Sequence, residues 1–351
     1  MKEQFNIITL GYTTVGKSYY LASIFDLVAG TQPNCFTLQY HDFVKKGKFE
    51  EWHDIISGEK DGSIDTTIKL IHTPMMFQKS FKDLFKVEVT DVEGQALQPG
   101  RNEEVAHTIL SYITKCDGVV LMLKAPSTPK EYKQCERQLP QLFNFCKNLL
   151  VENKVGNEVN IPVALVLNQI DMLPNVKGIS KQIESELKMT SVKELGRSNK
   201  RKNRKIIEKR KGEIVSELLR NALDTEEIFY ITEQFNNWVK NSGLRFPSRI
   251  FFTSSIGFDN VQENPIDSNT LIANTAIKPF GTIASFLWLL YAALKKENDT
   301  LSTFGLEDSI VDKLLEDIKD LHISGRSYFD NSDELWALRN LGNLYIIYDE
   351  E

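Results

Sequence analysis

The sequence predicts an α/β protein, in which helices cover both faces of a mostly parallel central sheet. Apolar segments of strand length alternate with longer segments of helical pattern through most of the first 175 residues. The central apolar segments, at 117–124 and 161–167, are apolar on both sides, as in strands buried within a parallel sheet. A loop with two glycines, at 11–18, joins the first predicted strand to the first predicted helix.

The predicted elements follow one another without an internal repeat or a low-complexity tract. Strands are expected at 5–10, 67–78, 81–90, 117–124, 161–167 and 249–253, and helices near 17–29, 102–115 and 128–153. Only a few residues separate the strands at 67–78 and 81–90, which favours an antiparallel pair and hence one antiparallel strand in the sheet. Residues 30–66 are expected to be irregular, apart from an amphipathic helix around 42–56.

The alternation of strands and helices stops near residue 174. Residues 174–247 are polar, helical in pattern and rich in Lys, Arg and Glu, so we predict a basic helical insert there. The main domain is then expected to comprise 1–173 and 248–296, followed by a C-terminal helical extension at 297–351. Pro279 is expected to open the last helix of the main domain, because proline is tolerated in a first helical turn.

The composition is that of a soluble globular protein. Hydrophobic residues make up 41% and charged residues 26% of the 351 residues, and the formal net charge of −6 excludes a general nucleic-acid binder. The four cysteines have neither C-x-x-C nor zinc-ligand spacing, which fits a reducing compartment. With no signal-peptide pattern and no apolar run long enough to span a bilayer, we expect a cytoplasmic protein without a transmembrane segment.

The loop at 11–18 has the sequence G-Y-T-T-V-G-K-S, which is G-x-x-x-x-G-K-[ST] between a strand and a helix. Such a loop turns its backbone N–H groups inward around a phosphate, and glycines permit the required torsions and close approach. Lys17 would reach the β- and γ-phosphates, and the Ser18 hydroxyl would ligate Mg²⁺ at the helix N-terminus. The candidate phosphate-binding residues are Gly11, Thr13, Thr14, Val15, Gly16, Lys17, Ser18 and Tyr19.

Three further motifs follow at the ends of predicted strands, where a parallel sheet binds its ligands. They are D-V-E-G-Q at 91–95, N-Q-I-D at 168–171 and T-S-S at 253–255. Together with the phosphate loop, their order resembles the Ras-like (translation-factor class) P-loop GTPases. The resemblance covers roughly residues 5–175 and 249–296, and it implies a three-layer P-loop NTPase fold that binds GTP, GDP and Mg²⁺.

The resemblance also implies roles for individual residues. Asp91 would hold Mg²⁺ through water, Gly94 would meet the γ-phosphate with its N–H, and Gln95 would orient the attacking water. Thr67 is the predicted switch threonine and a Mg²⁺ ligand, with Thr66 as the alternative. The predicted catalytic residues are therefore Lys17, Thr67 and Gln95, and the predicted metal ligands are Ser18, Thr67 and Asp91.

The motif at 168–171 is expected to recognise the base. The Asp171 carboxylate can accept hydrogen bonds from N1 and N2 of guanine, a donor pair that adenine lacks. Asn168 and Gln169 complete the motif, but Gln169 replaces the family's lysine, whose stem packs on the base and ties it to the phosphate loop. We therefore expect weaker affinity and a less strict preference for guanine. Ser254 and Ser255 would meet the guanine O6 through their backbone.

Two other features bear on regulation. Thr13 stands where small members of the family often carry glycine, so an arginine finger from a partner would have little room. The insert before Thr67, the D-V-E-G turn and the segment from Pro279 to Leu290 also resemble the prokaryotic double-GTPase group of conflict-system proteins. A protein partner or self-association is therefore expected to stimulate hydrolysis.

The basic stretch at 197–211 contains nine basic residues and one acidic residue. It is either a contact for nucleic acid, an anionic surface or an acidic partner, or a solvated helix face. Two alternative functions also stay open. The chain is either an ATPase of the same fold, which Gln169 would permit, or an adaptor that binds nucleotide without hydrolysing it.

Overall fold

The fold is taken from a computed structural model of the chain. It describes residues 4–12, 14–28, 36–40, 54, 71–79, 82–92, 116–152, 159, 161–179, 181–182, 185, 217–263, 271–273, 279–282, 285–286, 288–290 and 292–294.

The described part of the chain contains nine strands, three helices and one 3-10 turn, and it begins with a strand. The strands are β1 (Gln4–Leu10), β2 (Phe36–Tyr40), β3 (Ile71–Lys79), β4 (Lys82–Asp91), β5 (Gly118–Lys124), β6 (Val163–Asn168), β7 (Ser248–Phe252), β8 (Val261–Glu263) and β9 (Leu271–Ala273). The helices are α1 (Lys17–Val28), α2 (Pro129–Glu152) and α3 (Glu226–Asn241), with a 3-10 turn at Ile170–Met172. Further helical residues lie at 217–223 and between 282 and 294.

Seven strands form the main sheet, in the order β2-β3-β4-β1-β5-β6-β7. The five strands β4, β1, β5, β6 and β7 are mutually parallel. Of the other two strands, β3 runs antiparallel to both β2 and β4. β3 and β4 lie at the two predicted segments whose short separation favoured an antiparallel pair. The predicted α/β fold around a parallel sheet is confirmed.

The central strands are buried on both faces. Each of the six residues of β6, Val163–Asn168, has 0% of its surface exposed. Both faces of a strand are shielded from solvent only when other elements cover each side of the sheet, as in a layered α/β protein. The apolar character of 161–167 therefore predicted this strand for the right reason.

Helix α2 packs against β5 and against α3. Its buried side chains recur at helical spacing, and they are Cys135, Leu139, Leu142, Phe143, Cys146, Leu149 and Leu150. Pro140 lies in the middle of the helix, on its exposed side, where a missing N–H is best tolerated. Between the two helices the rings of Phe143 and Trp238 stack with centroids 4.9 Å apart.

Three parts of the fold differ from the sequence prediction. Residues 30–66 were expected to be irregular, but β2 lies within them and pairs with β3. The hairpin of β8 and β9 was also missed, because three-residue strands leave almost no periodicity. The last helix was expected to open at Pro279. Instead, the backbone of Phe280 exchanges two hydrogen bonds with Ser254, and helical residues begin at Thr282.

Several predicted segments lie outside the described residues. These are the helix around 42–56 except for the helical Asp54, the helix near 102–115, the basic stretch at 197–211 and the extension at 297–351. Within the part of the chain that the structure describes, no helix has the length and apolar character needed to cross a membrane.

Candidate functional site

The predicted motifs come together at the carboxyl edge of the parallel strands. The phosphate loop follows β1, Asp91 ends β4, and the segments at 168–171 and 253–255 continue from β6 and β7. Thr9 of β1 is in register with Asp91 of β4, which places these two strand ends side by side. Because all these strands are parallel, their ends meet at one edge of the sheet.

The phosphate loop wraps tightly around the side chain of Lys17. Lys17 is 7% exposed, and its ammonium donates hydrogen bonds to the carbonyl oxygens of Gly11 at 2.8 Å and Tyr12 at 3.2 Å. Thr14 and Gly16 have left-handed backbone torsions, with φ of 72° and 83°. The loop then leads directly into α1, and a helix N-terminus that follows such a loop favours an anion.

Each glycine of the loop is required by a close neighbour. A Cβ atom on Gly11 would lie 2.6 Å from the carbonyl oxygen of Met122 in β5. A Cβ atom on Gly16 would lie 2.6 Å from Nδ2 of Asn168 in the base motif. The spacing of the two glycines therefore reflects packing against β5 and β6 as well as backbone torsions.

Two side chains of the base motif hold the phosphate loop. Asn168 Nδ2 donates to the carbonyl oxygen of Val15 at 3.1 Å and to that of Gly16 at 3.4 Å. Gln169 Nε2 donates to the carbonyl oxygen of Thr14 at 3.3 Å. Glutamine thus makes a link from this position to the phosphate loop, although it brings no charge.

Asn168 also binds the third motif. Its Oδ1 accepts hydrogen bonds from Thr253 Oγ1 at 3.0 Å and from Ser255 Oγ at 3.3 Å. Since Asn168 is fully buried, both ends of its amide are paired within the protein. This one side chain connects the loop after β1, the end of β6 and the loop after β7.

Asp171 stands in the 3-10 turn after β6 and is partly buried. Burial raises the pKa of its carboxyl to about 6, against the hydrogen bond from Ser254 and the charge of Lys124, which lower it. The negative charge of Asp259 adds to the upward shift of that pKa. The carboxyl group is therefore mostly ionised at pH 7.

Asp91 and Ser18 provide oxygen atoms near the phosphate loop. Asp91 is 1% exposed at the end of β4, and Ser18 lies partly exposed in the first turn of α1. A carboxylate and a hydroxyl are ligands of the kind that Mg²⁺ prefers, so these residues fit the metal. The described residues include no group of three or more His, Cys, Asp or Glu side chains that would form a metal cage.

The structure describes only some of the remaining predicted site residues. Thr13, Thr67, Gly94 and Gln95 lie outside the described residues, so their predicted roles stay predictions. Tyr19 packs against the hydrophobic core from α1. Ser254 pairs through its backbone with Phe280 and accepts a hydrogen bond at its Oγ from the Gly257 N–H at 2.9 Å.

A polar cluster that was not predicted from the sequence lies beside the base motif. Lys124 at the end of β5 contacts Glu131 at 2.5 Å, and the other oxygen of Glu131 accepts hydrogen bonds from the N–H and hydroxyl of Ser127. A signal was present, because Thr128 and Glu131 have the S/T-x-x-E spacing of a helix capping box, with Pro129 between them.

No family model and no curated protein matches this chain. Among solved structures, it is similar to the Arl6 (BBS3) small GTPase from Trypanosoma brucei with the bound nucleotide analogue GppNp. That match has 12% sequence identity and a TM-score of 0.35, and it covers 84% of this chain and 99% of the other. A similarity this low carries no argument, so the interpretation of the site depends on the sheet order and the contacts of this chain's own loops.

Proposed function

We propose that this chain is a Mg²⁺-dependent guanine-nucleotide-binding protein that hydrolyses GTP and changes conformation with its nucleotide. The observation that carries the proposal is the contact between the phosphate loop and the base motif. Asn168 and Gln169 donate to three successive carbonyl groups of the loop, at Val15, Gly16 and Thr14. This contact joins the proposed phosphate-binding and base-binding elements directly, so that one nucleotide could contact both.

Phosphate binding is assigned to the loop and Lys17. The inward N–H groups of the loop and the N-terminus of α1 favour an anion. Lys17 is held over the loop by two carbonyl groups, and a phosphate would exchange those contacts for a stronger charge-assisted one. Mg²⁺, held by Ser18 and Asp91, would neutralise charge on the β- and γ-phosphates.

Base selection is assigned to Asp171. A carboxylate there accepts from both N1 and N2 of guanine, whereas adenine presents no such donor pair. The Ser254 hydrogen bond and the Lys124 charge both favour the ionised form of Asp171. These contacts support guanine over adenine, although Gln169 brings no charge to the base.

Hydrolysis is assigned by motif to Gln95 and Thr67. In this proposal Gln95 orients the attacking water and Thr67 responds to the γ-phosphate, while Lys17 binds the developing negative charge. Turnover without a partner is expected to be slow, because the residues assigned to the proposed site include no arginine. The segments around 60–67 and 91–100 would order with GTP and relax after hydrolysis.

The proposal is tested first by nucleotide competition. Fluorescent GDP bound in the presence of Mg²⁺ is displaced with GTP, GDP, ATP, ADP and xanthosine diphosphate. We expect guanine nucleotides alone to compete in the wild type, and Lys17→Ala to lose all binding. Asp171→Asn should exchange GDP for xanthosine diphosphate, because an amide can accept from N1 and donate to the oxygen at C2. Asp224→Asn, at an exposed remote position, is the matched control.

Each alternative function predicts a different result. If adenine nucleotides compete equally with GDP, the protein is an ATPase and the assignment of Asp171 is wrong. If guanine nucleotides bind but no phosphate is released with any partner or at any protein concentration, the chain is a nucleotide-binding adaptor. If phosphate is released, Gln95→Ala serves as the hydrolysis control, since it should abolish that release while leaving GDP affinity unchanged.

A further inference from the structure

Lys124 lies next to the base motif on the neighbouring strand. It is the last residue of β5 and is in register with Asn168, the last residue of β6. The chain after it stays beside the motif, because the N–H of Ala125 donates to the carbonyl oxygen of Asn168 at 2.8 Å. The position of Lys124 is therefore set by the sheet.

The side chain of Lys124 is held as well as its backbone. Its ammonium is 2.5 Å from Glu131 Oε1, and the two side chains are 30% and 27% exposed. The other oxygen of Glu131 accepts from Ser127 N at 2.8 Å and from Ser127 Oγ at 2.6 Å. Because Glu131 is fixed in the first turn of α2, it restricts where the Lys124 charge can lie.

The base motif brings no cation of its own, since 168–171 reads N-Q-I-D. Besides burial and its own backbone N–H, three groups act on its carboxylate, Asp171. The Ser254 hydroxyl hydrogen-bonds it from the loop after β7, Lys124 acts on it electrostatically from β5, and Asp259 opposes Lys124 with a negative charge. Among the residues that the structure describes, Lys124 is the cation whose charge favours ionised Asp171.

We propose that Lys124, held by Glu131, is a positioning residue for base recognition, which places beside Asn168 the positive charge that the base motif lacks and acts on the base through Asp171. The inference rests on the proposed guanine-binding function and adds a residue from outside the base motif. Gln169 retains the contact with the phosphate loop, while the positive charge comes from the adjacent strand. Lys124 itself need not touch the nucleotide.

The proposal makes a specific prediction about pH. Removing a nearby positive charge should raise the pKa of Asp171 by about one unit. If only ionised Asp171 binds guanine, the ratio of the GDP dissociation constants of Lys124→Gln and wild type should then change with pH. We expect it to rise from about one at pH 8 to about twofold at pH 7 and roughly eightfold at pH 5.5.

The experiment uses full-length nucleotide-free protein with Mg²⁺ and GDP, titrated from pH 5.5 to 8. Lys124→Arg should keep the wild-type profile, because it keeps the charge. Lys130→Gln is the matched control, since it removes an exposed lysine from the same helical turn as Glu131. It should also keep the wild-type profile. The double variant Lys124→Gln/Glu131→Gln should still shift the profile, which separates loss of the cation from exposure of a lone glutamate.

The outcomes distinguish this inference from the proposed function. If wild-type protein does not prefer GDP to ADP, guanine recognition itself is wrong. If it does, but Lys124→Gln lowers GDP affinity by one constant factor at every pH, Lys124 is merely structural and the inference fails. The carboxyl carbon shift of Asp171, assigned with Asp171→Asn, gives a second measurement. An unchanged titration midpoint in Lys124→Gln would also overturn the inference.

Discussion

Thr14 and Gln169 have backbone torsions that side-chain-bearing residues seldom adopt. Their φ angles are 72° and 62°, in the left-handed region where a Cβ atom crowds the following carbonyl group. The two residues contact each other, because Gln169 Nε2 donates to the carbonyl oxygen of Thr14. Strain of this kind persists where surrounding contacts hold the backbone, and here those contacts join the two loops of the proposed nucleotide site.

Thr14→Gly should therefore stabilise the protein. Glycine removes the clash of a β-branched residue, and the gain of about 1–2 kcal/mol exceeds the added entropy of the unfolded chain, about 0.5–1 kcal/mol. Since the Thr14 side chain is exposed, it has little packing to lose. Urea unfolding of nucleotide-free protein should show an increase in the free energy of unfolding of roughly 0.5–1 kcal/mol.

Gly16→Ala is the control for Thr14→Gly, and it is expected to have the opposite effect on stability. Its φ is 83°, and the added Cβ atom would lie 2.6 Å from Asn168 Nδ2, so it should destabilise the protein by about 2 kcal/mol or more. A loss of stability in Thr14→Gly would mean that the Thr14 side chain makes contacts that outweigh its strain.

Asp171 is expected to make stability depend on pH. Its folded-state pKa of about 6 lies above the ordinary value of 3.8, so the folded protein binds the proton more tightly between those values. The contribution of Asp171 to the wild-type free energy of unfolding therefore falls as the pH rises from about 4 to about 6, and it stays low above pH 6. The side chain in Asp171→Asn cannot titrate. The difference in the free energy of unfolding between this variant and wild type should therefore shift in favour of the variant by roughly 1–3 kcal/mol from pH 4 to pH 7.

That comparison is made by chemical unfolding of both proteins without nucleotide across the pH range. Asp224→Asn, which removes an exposed remote carboxylate, should show no such difference. A constant difference between Asp171→Asn and wild type at all pH values would contradict the raised pKa.

At the scale of elements, the start of α2 both caps the helix and holds Lys124 in place. Glu131 N–H donates to Thr128 Oγ1 at 3.3 Å, and Tyr132 N–H donates to the Thr128 carbonyl at 3.0 Å, which makes Thr128 the N-cap. Glu131 in the same turn fixes Lys124 beside the base motif. Burial raises the pKa of Glu131, but the hydrogen bonds from Lys124 and Ser127 outweigh it, and the net direction is downward.

Thr128→Ala should cost about 1 kcal/mol of stability through loss of the cap. Because the cap also positions Glu131, we expect a small loss of GDP affinity, larger at low pH than at high pH. Thr128→Ser keeps the hydroxyl and should leave both properties close to wild type. Equal stability of Thr128→Ala and wild type in urea would show that the N-cap hydrogen bond contributes nothing.

At the scale of the whole molecule, the site joins parts of the chain that are far apart in sequence. Asn168 connects Val15 to Thr253 through its amide, and the backbone of Ser254 connects to Phe280. A ligand that spans the phosphate loop and the base motif therefore stabilises contacts between the two halves of the sheet. The nucleotide is expected to act on the stability of the entire domain.

GDP with Mg²⁺ at 100 times its dissociation constant should raise the free energy of unfolding by about 2.7 kcal/mol, by mass action. Thermal unfolding with and without GDP measures this as an increase in the midpoint temperature. Lys17→Ala, which loses the proposed phosphate contact, should show no increase at the same GDP concentration. An equal increase in that variant would place GDP outside the phosphate loop.

Much of the fold was predictable because its signals are local. The buried strand at 161–167 and the helix at 128–153 have clear apolar patterns, and the structure places β6 at Val163–Asn168 and α2 at Pro129–Glu152. The strand β2 and the start of the last helix were not predictable in this way. Their residues adopt these positions through pairing with distant partners, β3 and Ser254, which local patterns do not encode.

The sequence by itself determined the strand–loop–helix unit, because Gly11, Gly16, Lys17 and Ser18 lie within one continuous segment. It also indicated which strand ends carry polar motifs. Only the tertiary structure decided which of those ends are neighbours, through the strand order β4-β1-β5-β6-β7. That order places Asn168 against the phosphate loop and Lys124 near Asp171. Contacts of this kind depend on strand pairing across long stretches of chain, and no local preference specifies that pairing.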